Sequence, residues 1–94
     1  MEQLVRQQVE LTIKSCPVVV FSLSYCQYCK LAKNLLIERN TLFQQVEVDQ
    51  ESSGQLIRNA LIAITGRKTF PSIFVKGQYF GGYDTLRNYY GVRT

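Results

Sequence analysis

The most constraining feature of this chain is a buried-strand pattern that runs directly into a cysteine pair. Pro17-Val18-Val19-Val20-Phe21 is apolar and rich in β-branched residues. Five unbroken apolar positions predict a strand covered on both faces, because a half-exposed strand would alternate. Ser22-Leu23-Ser24-Tyr25 reads as a short loop. Then come Cys26-Gln27-Tyr28-Cys29 and a helical stripe through Tyr28, Leu31, Ala32, Leu35 and Leu36, at i, i+3, i+4, i+7 and i+8. Asn40 ends that helix. A doubly covered strand needs helices on both sides, so an α/β layering follows from this one segment.

The rest of the chain fills in the layers. Residues 2–15 predict a helix with Val5, Val9 and Ile13 on one face. Residues 42–48 alternate through Val46 and Val48, as a second strand would. Ser52 and Gln55 have capping-box spacing, and Leu56, Ile57, Ala60, Leu61 and Ile64 form a third helical stripe stopped by Gly66. Ile73-Phe74-Val75 and Gln78-Tyr79-Phe80 flank Lys76-Gly77, a hairpin signal. Gly81-Gly82 breaks the chain, and Asp84 to Tyr90 form a short final helix. The order α-β-α-β-α-β-β-α places the first two strands parallel, with a right-handed crossover, and the last two antiparallel. The expected architecture is one domain over residues 1–94, with a four-stranded mixed sheet and helices on both faces.

Composition narrows the chemistry. The 94 residues contain no histidine, which removes Cys–His and Ser–His catalysis and histidine-based zinc sites. Three cysteines are too few for a disulfide scaffold. The net charge of +4 is carried without a block of consecutive cations. A solvated surface is therefore expected rather than a nucleic-acid interface. No apolar run approaches the ~18 residues of a membrane span. The first ten residues lack the apolar core of a signal peptide. The expected compartment is the cytoplasm.

Cys26 falls where the loop turns into the helix, and Cys29 lies one turn further on. Unpaired N–H groups and the macrodipole at a helix start stabilise negative charge on the first sulfur, which is expected to stay exposed. The second, tucked against the helix, can attack a mixed disulfide on the first. Metal binding is the other use of such a pair, but it would require further ligands. Cys16 is the one other cysteine and lies a strand length away. It reads as a small packed hydrophobe at the end of the first helix. Pro71 either opens an edge strand or serves the dithiol. Asp84 suits a helix start, and the glycines before it allow backbone to approach a ligand closely.

Taken together, Val18-Val19-Val20-Phe21-Ser22, Tyr25-Cys26-Gln27-Tyr28-Cys29, Thr65-Gly66-Arg67-Lys68-Thr69-Phe70-Pro71 and Gly81-Gly82-Tyr83-Asp84 resemble the glutaredoxins, in order and spacing, from about residue 10 to about residue 90. The resemblance implies a thioredoxin fold and glutathione-dependent thiol–disulfide exchange. Catalysis would rest on Cys26 as attacking thiol and Cys29 as resolving thiol. Glutathione would be held by Tyr28, Arg67, Lys68, Thr69, Phe70, Pro71, Gly82, Tyr83 and Asp84. In this pattern Pro71 is a cis-proline facing the dithiol, and Phe70 offers its backbone to the cysteine of glutathione. Arg67 and Lys68 face the glycine carboxylate. Asp84 and the Tyr83 and Asp84 amides face the γ-glutamyl end. Glutathione serves as reducing co-substrate, and no metal is expected. The partners are glutathionylated or disulfide-bearing proteins, with no nucleic acid and no membrane, and the chain is expected to act as a monomer.

Four positions depart from the pattern. Leu23 stands where dithiol members usually carry lysine, Gln27 where proline is common, Arg67 where glutamine is common, and Thr85 where many members are acidic. Members without that proline can bridge a [2Fe–2S] cluster between two copies with glutathione. This is the alternative reading. A thioredoxin-like reductase that ignores glutathione fits less well, because thioredoxins usually carry Trp-Cys-Gly-Pro-Cys and this chain has no tryptophan.

Overall fold

A computed structural model describes residues 1–91, so the last three positions of the expected 1–94 domain lie outside the described residues. Helix α1 spans Glu2–Ser15, β1 Val18–Ser22, α2 Gln27–Glu38 and β2 Gln44–Glu47. A single 3-10 turn follows at Val48–Gln50, then α3 at Gly54–Thr65, β3 at Ser72–Val75, β4 at Gln78–Gly81 and α4 at Tyr83–Tyr90. The sheet order is β2-β1-β3-β4. Strand β1 pairs parallel with β2 and antiparallel with β3, and β3 pairs antiparallel with β4. This is the thioredoxin fold, a four-stranded mixed sheet with two helices on each face.

Strand β1 shows why its sequence is unbroken apolar. Val19 and Phe21 point to one face and join Val5, Val9 and Ile13 of α1 and Ile57, Ala60 and Leu61 of α3. Val20 points the other way, to Ala32, Leu35 and Leu36 of α2 and Leu86 of α4. Period-2 geometry sends alternate side chains into two cores. Phe21 and Phe74 meet edge-on at 5.7 Å between ring centres, fixing β1 against β3 in the larger core.

The Lys76-Gly77 turn has positive φ at both positions (52° and 80°), the pattern that matches strand twist in a two-residue hairpin. Gly66 closes α3 in the left-handed region at φ 74°. The Phe70–Pro71 bond is cis.

Several expectations need correction. The second strand is shorter than 42–48. Val48 leaves the ladder for the 3-10 turn, where its side chain is fully buried. Ser22 belongs to β1 rather than to the loop, and Gly81 belongs to β4 rather than to the break. The capping box at Ser52 and Gln55 does not form: the N-cap of α3 is Ser53, with no side-chain cap bond, and Gln55 donates to Asn59. The start of α3 is set by close packing instead. A Cβ on Gly54 would lie 2.6 Å from the Val48 carbonyl oxygen, so the helix sits directly on the 3-10 turn.

Candidate functional site

Cys26 is the N-cap of α2, and its sulfur accepts the Cys29 N–H at 3.3 Å. One of the amides a helix start leaves without an internal partner is thus aimed at the first sulfur. The Cys26 thiol also reaches the Phe70 carbonyl at 3.9 Å. Cys26 is half-buried rather than exposed, because it packs against the larger core. Cys29 is fully buried. Burial and its hydrogen bond to Cys26 push the Cys29 thiol up from 9.0 to about 11, against smaller opposing effects from the Leu23 backbone and the Ser22 hydroxyl. All three cysteines are free thiols. Among the described residues, no three His, Cys, Asp or Glu side chains gather where they could share a metal ion.

The fold brings the other motifs to this sulfur. Pro71 is buried, and a Cβ on Gly82 would meet the Pro71 carbonyl at 3.4 Å, so the glycine pair lies against the proline. Gly82 is the N-cap of α4, which puts the Tyr83 and Asp84 amides in its first turn. The exposed Tyr28 ring stacks on Tyr83 at 6.0 Å, joining the first turns of α2 and α4. Arg67, Lys68, Thr69 and Phe70 line one wall of a small cavity of about 180 Å³, with Gln55, Arg58 and Ile62 of α3 opposite. Three of its lining residues are cationic and none is acidic, so the cavity favours a carboxylate. On the α4 side, the first-turn amides favour a second carboxylate and Asp84 an ammonium.

Two residues outside the proposed site are placed by the larger core, Cys16 as the sequence predicts. Leu23 is not at the mouth of the site: it is 8% exposed and packs in the larger core with Phe21, Val48 and Phe74. Cys16 caps the end of α1, half-buried against the same core.

Sequence reasoning missed three residues beside the dithiol. The Arg58 guanidinium lies 5.5 Å from the centre of the Phe70 ring and donates to the Tyr25 hydroxyl at 3.5 Å. Ser24 donates its backbone N–H to Asp49 Oδ1 at 2.8 Å and its hydroxyl to Asp49 Oδ2. The only signal for Arg58 was a cation beside the apolar stripe of α3. Asp49 and Ser24 are 25 residues apart in the chain, and no local pattern joins them.

A glutaredoxin family model matches residues 18–80. The chain belongs to the glutaredoxin family. Glutaredoxin-C1 of Arabidopsis thaliana is 42% identical over 86 residues, covering 92% of this chain and 68% of that one. The chain spans 54% to 68% of the length of three plant glutaredoxins that it matches. Among solved structures, the holo form of glutaredoxin C1 from Populus tremula x tremuloides superposes with a TM-score of 0.90 at 36% identity, covering 94% of this chain and 87% of that one. A buckwheat glutaredoxin–glutathione complex gives the same TM-score and identity, covering 96% and 84%.

Proposed function

We propose that this glutaredoxin is a glutathione-dependent thiol–disulfide oxidoreductase that reduces glutathione mixed disulfides and protein disulfides through Cys26 and Cys29. The observation that carries the reading is the Cys26 sulfur, held at the α2 N-cap by an N–H and standing beside the Phe70 carbonyl. A buckwheat glutaredoxin at 36% identity has been crystallised with glutathione.

In the reduction of a protein–glutathione mixed disulfide, the Cys26 thiolate attacks the glutathione sulfur. The protein thiolate leaves and takes a proton from water, and Cys26 now carries the glutathionyl group. A second glutathione thiolate attacks that group, giving oxidised glutathione and free Cys26. With a protein disulfide, Cys26 attacks one sulfur and expels the other. Cys29 then gives up its proton and attacks the Cys26 sulfur, so the second substrate thiol leaves. Two glutathiones reduce the Cys26–Cys29 disulfide.

Burial keeps Cys29 protonated at neutral pH, which prevents a premature second thiolate. Once Cys26 is in a mixed disulfide, it no longer competes for negative charge, and the departing substrate thiolate can accept the Cys29 proton. The cavity cations Arg58, Arg67 and Lys68 bind the glycine carboxylate of glutathione. Tyr83 and Asp84 bind the γ-glutamyl end. Tyr28, Thr69, Phe70, Pro71 and Gly82 form the walls between them. We place this single-domain monomer in the cytoplasm, a reducing compartment that suits three free cysteines.

A glutathione-coupled mixed-disulfide assay tests the reading. Cys26→Ser abolishes turnover. Cys29→Ser keeps mixed-disulfide reduction, which needs one thiolate, and loses most reduction of intramolecular protein disulfides. Equal inactivity of both variants in the mixed-disulfide assay overturns the assignment of roles.

A further inference from the structure

Leu23 to Cys26 form a tight turn closed by the Cys26 N–H donating to the Leu23 carbonyl at 3.0 Å. Ser24 and Tyr25 are its two central residues. The turn delivers Cys26 to the N-cap of α2, so its shape fixes where the sulfur sits. The N–H of a first central turn residue has no partner inside the turn. Here it points to Asp49, as does the Ser24 hydroxyl, and one carboxylate takes both donors.

The support behind that carboxylate is rigid. Asp49 is exposed in the 3-10 turn after β2 and directly follows Val48, whose side chain is fully buried and whose carbonyl packs against Gly54. On the other side of the turn, Arg58 donates to the Tyr25 hydroxyl. The two Ser24 bonds hold the Asp49 carboxyl below the usual carboxylate range. Ser24 and Asp49 stand outside the glutathione pocket, which Arg58 also lines.

We propose that Asp49 is a positioning residue for thiol exchange: through its paired bonds to Ser24 it holds the Leu23–Cys26 turn, and so keeps the Cys26 sulfur at the helix start and beside the Phe70 carbonyl. The assignment rests on Cys26 being the attacking thiol. Charged hydrogen bonds are the strong ones, and small displacements of a reacting group carry large rate costs.

The test is the rate at which Cys26 is alkylated by iodoacetamide, read by mass spectrometry of its peptide in the reduced full-length protein, with kcat and KM for glutathione measured alongside. Asp49→Ala should slow alkylation and lower kcat by about five- to tenfold, leaving KM for glutathione within about twofold. Asp49→Asn keeps an oxygen for the Ser24 N–H and should recover most of the loss. Ser24→Ala removes the hydroxyl bond alone and should slow alkylation about two- to threefold. In a double substitution, the two effects should be less than additive. Ser24 is half-buried and losing its hydroxyl leaves the Cys26–Leu23 bond in place, so its variant gives the answer if Asp49→Ala fails to fold. Wild-type alkylation in folded Asp49→Ala or in Ser24→Ala overturns the proposal, as does an equal loss in Asp49→Asn. Alkylation needs no glutathione, so these outcomes stand whether or not the glutathione activity does.

Discussion

Cys26 and Cys29 are one helical turn apart and chemically unlike, because only the first meets unpaired helix amides at its sulfur while the second is enclosed. The raised Cys29 value has a consequence for stability. The folded chain holds this proton more tightly than the unfolded chain, so between pH 9.0 and about 11 the folded state carries more protons. Its contribution is complete below about pH 9 and is lost as pH rises toward 11. Two units correspond to roughly 2–3 kcal/mol. Urea unfolding of the reduced protein should show this fall, and Cys29→Ala should flatten it. Leu23 makes a second point at this scale. A lysine there would have to leave a closed core or bury its charge, so Leu23→Lys should cost about 2 kcal/mol in the same measurement. A variant as stable as wild type would mean the side chain can swing out to solvent.

Each element presents one part of the site from its end. Strand β1 and the start of α2 carry the sulfur, and the start of α4 brings the amides. The segment between α3 and β3 carries Arg67 to Phe70. That segment is exposed from Gly66 to Thr69, so its cations act through water. Exposed ion pairs are worth ~1 kcal/mol or less. Arg67→Ala should therefore raise KM for glutathione by roughly two- to fivefold with kcat nearly unchanged, and added salt should shrink the difference. A lowered kcat at constant KM would assign Arg67 to the exchange step instead. The elements themselves were legible because their signals are local. The stripes of α1 and α2, the Gly66 stop and the Lys76-Gly77 turn each depend on neighbours within a few positions. The start of α3 was misread for the opposite reason: a capping box is also local, and it lost to the contact between Gly54 and the Val48 carbonyl.

For the molecule as a whole, the Cys26 sulfur is half-buried between α2 and the Phe70 segment, with the stacked Tyr28 and Tyr83 rings nearby. A cluster shared between two copies would have to draw on this sulfur from each. Gln27 in place of proline favours that alternative, and Tyr28 continues the pattern of ordinary dithiol members. Reconstitution with iron, sulfide and glutathione should yield little stable dimer, read by visible absorbance and size-exclusion chromatography. A stoichiometric, glutathione-dependent cluster would reverse the order of the two readings.

The sequence by itself determined the layering, the strand that is covered twice, the family, and the two cysteines at a helix start. All of these follow from periodicity, turn chemistry and motifs in register, which operate over a few residues. Only the tertiary structure decided that Leu23 points inward, that Cys29 is sealed and its thiol pushed up, and that Asp49 and Arg58 grip the turn before Cys26. Those outcomes depend on which side chains the sheet order and helix packing bring together from distant parts of the chain, and a partner 25 or 33 positions away leaves no mark on the local pattern.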